Sequence, residues 1–168
     1  MLKKTIFFVF MFCMAGAFLT KTVSADDKFF VGLGPEFNEN TRHGVAFGGV
    51  FHAGMNFTQR ISFGVKVGCF YDFESIIAVD PSVFFRYYIP IIEGLFVQAE
   101  AGSIIFFEDG ESYPAVLGGL AAGWHYNFGK KWYLEPFVRS GYPHLWGVGV
   151  VMGLRFNLKK EMKEIIEE

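Results

Sequence analysis

The chain has 168 residues, 15 Lys and Arg against 17 Asp and Glu, and a formal net charge of −2. That length suits one domain, and so slight a charge gives no electrostatic case for nucleic acid as a partner. Aromatic residues make up 19%, with 22 Phe and 20 Gly, more rings and more glycine than an ordinary soluble core requires.

The N-terminus carries Lys3 and Lys4, an apolar run from Ile6 to Leu19, and Val23-Ser24-Ala25. This is the layout of a secretory signal peptide, and it predicts cleavage after Ala25. The apolar run is short for a membrane-spanning helix, which needs about 20 residues. Cys13 raises a lipoprotein alternative, but Phe12 and Met14 flank it where such a site wants small residues. Cleavage leaves Cys69 as the one cysteine, so the mature domain has no intramolecular disulfide. Cys69 falls on an apolar face with no charged partner in its pattern, which suits a packing or lipid-facing role better than a nucleophile.

From Lys28 the chain reads as a succession of strands, because side chains alternate in character with a period of two. Lys28 to Gly34 is the first, with Phe29, Val31 and Leu33 on one side; Pro35 is expected to end it, and Glu36 to His43 reads as a polar loop. Val45 to Phe57 alternates again, and Thr58-Gln59-Arg60 turns the chain into Ile61 to Phe73, ISFGVKVGCFYDF, the clearest strand of all. Glu74 to Ala78 reads as a loop, followed by strands over Val79 to Ile89 and Leu95 to Glu108, with Pro90 to Gly94 between them. Asp109 to Pro114 is a turn cluster. Val116 to Phe128, Trp132 to Ser140 and Trp146 to Phe156 complete about eight strands, an even number suited to closure.

The two phases differ sharply. Lys66, Asp72, Asp80, Arg86, Glu100, Glu135, Arg139, Arg155, His52 and His125 all fall on one, and the other carries no charge. In a soluble barrel the apolar phase would turn inward, but rows of Phe, Tyr, Trp, Met and Ile from about eight strands overfill an interior that is just wide enough for ordinary side chains. Most strand glycines, including Gly48, Gly54, Gly64, Gly68, Gly123, Gly149 and Gly153, share the charged phase, as expected if that phase is the crowded inside. Rings gather near strand ends (Tyr71, Phe73, Trp124, Tyr126, Phe128, Trp132, Trp146), where an interfacial girdle belongs. The predicted fold is therefore all-β, an antiparallel up-and-down transmembrane barrel over residues 26–158. It follows a signal peptide at 1–25 and precedes a short charged periplasmic tail at 159–168.

Turns at Thr58 to Arg60, Pro90 to Gly94 and Gly129 to Lys131 are short, while Pro35 to His43, Glu74 to Ala78, Asp109 to Pro114 and Gly141 to His144 form a longer or more irregular set. Short turns on the periplasmic side and longer loops outside would place both termini in the periplasm. Over essentially the whole mature length the chain resembles the small outer-membrane barrels of the OmpA/OmpX type. Its last strand, WGVGVVMGLRF, resembles the C-terminal insertion signal of that class ending at Phe156, although twelve residues follow that Phe. The resemblance implies the bacterial outer membrane, surrounding lipid and the barrel-assembly machinery as partners, and a monomer.

Three functional readings follow. The first is a closed structural or surface-interaction barrel, its lumen filled by a charge network of Lys66, Asp72, Arg86, Glu100, Glu135, Arg139 and Arg155; the OmpA-type resemblance implies such a plug. The second is passage of small hydrophobic molecules as in OmpW-type barrels, along interior rings at Phe70, Phe84, Tyr88, Phe96, Phe106 and Phe137. Pro81 and Pro136 would then be candidates for a lateral opening, although mid-strand proline more often marks a bulge or strand end. The third is a lipid-modifying enzyme: His125, Asn127 and Glu135 share a phase across a hairpin, but no Ser joins them and no catalytic residue is assigned. No metal-spacing cluster and no phosphate-binding glycine loop is present, so neither metal nor cofactor is expected.

Overall fold

The computed structural model describes residues 29–41, 44–72, 76–108, 110–129 and 131–157. The expected signal peptide at 1–25 and the expected charged tail at 159–168 lie outside the described residues. Among the described residues there are nine strands: β1 (Phe29–Asn40), β2 (Gly44–Asn56), β3 (Ile61–Asp72), β4 (Ile77–Tyr88), β5 (Leu95–Glu108), β6 (Glu111–Trp124), β7 (Tyr126–Phe128), β8 (Trp132–Tyr142) and β9 (His144–Phe156). Consecutive strands pair antiparallel from β1 to β6 and from β7 to β9, β1 closes on β9, and β6 and β7 both pair with β8. The short β7 continues the line of β6 past an interruption at His125, so the nine strands make eight staves of a closed barrel.

The barrel is inverted relative to a soluble protein. Outward side chains stay exposed although they are large and apolar, with Leu120 at 70%, Leu33 at 64% and Phe47 at 56%. Inward side chains are buried although many are charged, with Asp80 at 0%, Glu135 at 1% and Arg86 at 2%. This is the arrangement of a transmembrane barrel, whose outer band meets lipid. Interior glycines are what let the large inner groups fit. A Cβ on Gly153 would meet the Tyr133 ring at 2.3 Å and the Val31 carbonyl at 2.2 Å, and one on Gly64 would meet the Phe84 ring at 2.6 Å. Gly49, which faces outward, has nothing nearer than 3.8 Å.

Several expected boundaries are corrected. Pro35 does not end β1, which runs on to Asn40 and keeps its alternation, so Glu36, Asn38 and Asn40 face inward instead of forming a loop. Ile77 and Ala78 belong to β4, and Ser112 to Pro114 belong to β6. Strands thus extend almost to the hairpin tips, leaving connections of residues 41–43, 73–76, 109–110 and 143 at one end. The other end has 57–60, 89–94 and 129–131, together with both ends of the barrel chain. The expected contrast between long and short connections is absent, because the polar residues read as loops are the inward-facing residues of lengthened strands.

The mid-strand prolines explain where the ladders skip. Pro35 keeps its place opposite Gly49 in β2, Pro81 opposite Val67 in β3, and Pro136 opposite Val150 in β9. On their other sides the pairing lapses: β1–β9 skips from Leu33 to Glu36, and β4–β5 skips from Val79 to Ser82. The β8 ladder passes from Leu134, paired with β7, to Phe137, paired with β6. A proline has no N–H to give the neighbouring carbonyl, and each is turned so that this deficit falls on one ladder only.

Candidate functional site: the barrel lumen

All seven residues expected in the lumen network are buried inside the barrel. Nearer the end that carries the chain termini, Glu135 on β8 is a hub. Arg86 on β4 grips it with two bonds, Nη1 to Oε1 at 2.6 Å and Nη2 to Oε2 at 3.1 Å, a fork that fixes geometry as well as charge. His125 Nδ1 lies 2.5 Å from Glu135 Oε1, and His52 Nε2 lies 3.7 Å from Oε2. Arg86 also donates from Nε to Gln98 at 2.8 Å and sits 4.0 Å from the centroid of the Phe96 ring. Tyr133 stacks on His125 at 4.9 Å, and its hydroxyl is 2.8 Å from His52 Nε2.

Toward the opposite end Arg139 on β8 is the second hub. Its Nε donates to Glu36 on β1 at 2.6 Å, Nη2 to Asp80 on β4 at 3.0 Å, and Nη1 to Glu100 on β5 at 3.5 Å. His144 Nε2 is 3.1 Å from Arg139 Nη2 and 3.3 Å from Asp80 Oδ2. The hubs are linked across the middle: Gln98, already bonded to Arg86, donates to Glu100 at 2.7 Å, and Glu100 accepts from Lys66 Nζ at 2.8 Å. Residues from seven strands, all but β6 and β7, are thereby joined into one polar network through the lumen. Asp72 caps the β3–β4 connection, its Oδ1 accepting from the Ile76 N–H at 2.9 Å, and Arg155 is buried near the terminal end of β9.

Alternation explains the placement. Because every strand keeps its period of two, residues as distant as Glu36 and Arg139 converge on the axis without any local motif joining them. The interior rings do not line an open path. Phe70, Phe84 and Phe106 pack with Ile76, Ile104 and Leu117 in one buried apolar cluster, and Phe137 lies against it. A void bordered by His52, Lys66, Arg86, Glu135 and Phe137 measures about 20 Å³, and another beside Arg139 and His144 about 10 Å³. A water needs at least about 10–15 Å³ of such space, so these voids match a water or less.

His125, Glu135 and Asn127 do meet, with His125 Nε2 2.9 Å from Asn127 Oδ1. Arg86 occupies both oxygens of Glu135, which leaves that carboxylate bound to a cation, the reverse of what a general base needs. Sequence reasoning missed Glu36 and His144, both partners of the second hub. For Glu36 the signal was present, since Phe37 continues the outward row of Val31 and Leu33 beyond Pro35. His144 opens β9 at a register shift opposite Glu39 and Asn40, which interrupts the alternation that would have placed it. Pro81 and Pro136 face outward on separate strands, and the β4–β5 register resumes unchanged at Ser82 opposite Gly102. Phe156 ends β9 opposite Phe29 and stacks on it at 6.1 Å, fastening the seam between first and last strands.

No family model matches the chain, and no curated protein sequence does. Its backbone is similar to solved structures. Neisserial surface protein A superposes with a TM-score of 0.58 at 13% identity, covering 77% of this chain and 96% of that one. Ail, the attachment invasion locus protein of Yersinia pestis, in complex with the heparin analogue sucrose octasulfate, gives 0.50 at 12% identity, covering 78% and 99%. At such identities the likeness is one of fold. The chain is an eight-stranded antiparallel transmembrane β-barrel with the fold of the small outer-membrane barrels.

Proposed function

We propose that the protein is a non-conducting barrel of the bacterial outer membrane, a structural wall element that also presents a surface for interaction, with both termini in the periplasm. The observation that carries this reading is the polar chain from Glu135 through Arg86, Gln98 and Glu100 to Arg139, which crosses the lumen with voids of about 20 Å³ and 10 Å³ beside it. Among the described lumen residues four cations (Lys66, Arg86, Arg139, Arg155) face five carboxylates (Glu36, Asp72, Asp80, Glu100, Glu135), so charge nearly cancels. An isolated ion there would cost several kcal/mol on the order expected for a dry interior, whereas paired ions can remain.

The outer membrane follows from the apolar exterior together with the signal peptide reading. The periplasmic termini rest on that signal peptide and on the terminal strand, whose Phe156 would be read by the barrel-assembly machinery. Lipid is the standing partner, and a monomer is sufficient because the barrel is closed.

Planar-bilayer recording from the refolded chain 26–168, with folding verified by heat-dependent gel migration, tests the reading. Silent membranes containing folded protein are expected. Steady single-channel currents would overturn the plug and move the greasy-conduit reading forward.

A further inference from the structure

The end of the barrel that holds both ends of its chain also carries an apolar knob that the wall does not use. The turn from β4 to β5 contains Pro90-Ile91-Ile92-Glu93, and the turn from β2 to β3 starts at Phe57; Ile91 is 92% exposed, Phe57 71% and Ile92 42%. The two turns are neighbours, because the Tyr88 N–H donates to the Arg60 carbonyl at 2.8 Å. Lipid does not account for the knob. A Cβ on Gly94 would meet the Trp124 indole nitrogen at 2.9 Å, so the girdle formed by Trp124 and Tyr126, stacked at 6.1 Å, is level with Gly94. Ile91 stands at the apex of its turn, past that girdle and on its aqueous side.

The sequence that follows Asn157, LKKEMKEIIEE, supplies a counterpart. Leu158, Met162, Ile165 and Ile166 have the spacing of one helical stripe, and the charges fall outside it. So short a helix is marginal in water, where about 12–15 residues are needed, and Lys159, Lys160 and Lys163 ahead of Glu164, Glu167 and Glu168 oppose the helix dipole. The stripe therefore needs a surface. An anionic membrane is a poor one, because interfacial helices carry a basic polar face and this segment has four Glu to three Lys. The knob is within reach: β4 stands four staves from β9 in a ring of eight, directly across the mouth. Staves about 4.8 Å apart and tilted by about 40° make a ring roughly 16 Å across, and residues 158–168 as a helix measure about 16 Å.

We propose that residues 158–168 lie as a helix across this mouth and dock Ile165 and Ile166 on the knob formed by Ile91, Ile92 and Phe57. Leu158 and Met162 then face the mouth. The acids of the last turn arrive beside Arg60, which is exposed and one residue short of β3; Glu93 leads into β5, on the side away from Arg60, and stays in water. Apolar contact and charge thus select the same place on the rim. The segment becomes a latch over the terminal end of the lumen, a cover separate from the polar chain inside. This inference goes beyond the non-conducting reading and does not depend on it.

Pairs of cysteines in the refolded chain 26–168, in lipid vesicles and a Cys69→Ser background, test the contact. Under a mild oxidant, Ile91→Cys with Ile166→Cys is expected to form an intramolecular disulfide about tenfold faster than Ile91→Cys with Glu164→Cys, whose thiol lies on the other side of the helix. Ile92→Cys serves if Ile91→Cys does not fold. Ile165→Ser, outside the barrel, should remove most of that advantage, and Arg60→Gln should reduce it about threefold, the size of an exposed ion pair. Equal rates for the two pairs, or a disulfide that joins two chains, overturns the proposal. A small fluorophore on Lys163→Cys, near the middle of the mouth, is expected to escape quenching by brominated lipid; strong quenching would lay the segment on the membrane and overturn the proposal as well. Single-channel currents from the parent would sink the lumen plug and leave the cross-linking result standing, so the two readings fail separately.

Discussion

Replacing Glu135 by Leu is the sharpest perturbation the lumen offers. It leaves Arg86, 2% exposed, with Gln98 and Tyr88 as hydrogen-bond partners but no carboxylate, and it strips His125 of its 2.5 Å contact. Breaking one side of a buried pair costs about 3–5 kcal/mol, because the remaining charge stays desolvated. That corresponds to a loss of roughly a hundredfold or more in the folded-to-unfolded ratio. Arg86→Met alone strands Glu135 in the same way. The double variant removes both charges, and its cost should fall below the sum of the two by about 2–3 kcal/mol, the size of coupling expected between directly bonded charges. Equilibrium urea titrations of the barrel refolded into lipid vesicles, followed by tryptophan fluorescence, supply all four corners of the cycle. Additive costs, or a Glu135→Leu variant within about 0.5 kcal/mol of the parent, would show that the fork between Arg86 and Glu135 is not a dry ion pair and would refute the reasoning.

Other outcomes follow from the same geometry. Gly153→Ala should destabilise by about 1–3 kcal/mol in that titration, since the new methyl meets the Val31 carbonyl and Tyr133 ring, whereas Gly49→Ala, facing outward with room, should stay within about 0.5 kcal/mol. Pro136→Val supplies an N–H where the ladder lapses and should stabilise by about 0.5–1.5 kcal/mol; a loss instead would mean that the ring itself holds the wall. Arg139→Met should destabilise most among single lumen substitutions, because it deprives Glu36, Asp80 and Glu100 of a shared cation; ranking the variants by urea midpoint decides this.

The fold was legible because one rule, alternation, governs nearly every residue of a barrel. Ile61 to Asp72 declares its two faces without help, and the charged phase pooled over all strands identifies the inside before any contact is known. What was hidden lay where that rule is overlaid by another. Pro35 and the polar run after it look like a strand end and a loop, yet the outward row Leu33, Pro35, Phe37 continues through them. The inward residues there are polar for the lumen's sake, not for a turn's. Pairings such as Glu36 with Arg139 depend on how far each strand is shifted along its neighbours, and nothing in local sequence fixes that shift. The break at His125 was equally unreadable, since it arises where Pro136 on the facing strand withholds an N–H.

The central claim is that the apolar face meets lipid while the charged face is sealed within. A thiol scan tests it most directly, with a small fluorophore on the native Cys69 or on single cysteines at the outward positions 65 and 67 in a Cys69→Ser background, in vesicles of brominated lipid, and with the near-isosteric inward variants Ser62→Cys and Ser82→Cys left unlabelled in the same background. The account predicts strong quenching at 65, 67 and 69, and inward thiols that react with a charged aqueous thiol reagent only once the barrel is unfolded. Weak quenching at the outward positions, or rapid reaction of the inward thiols in folded protein, would contradict it.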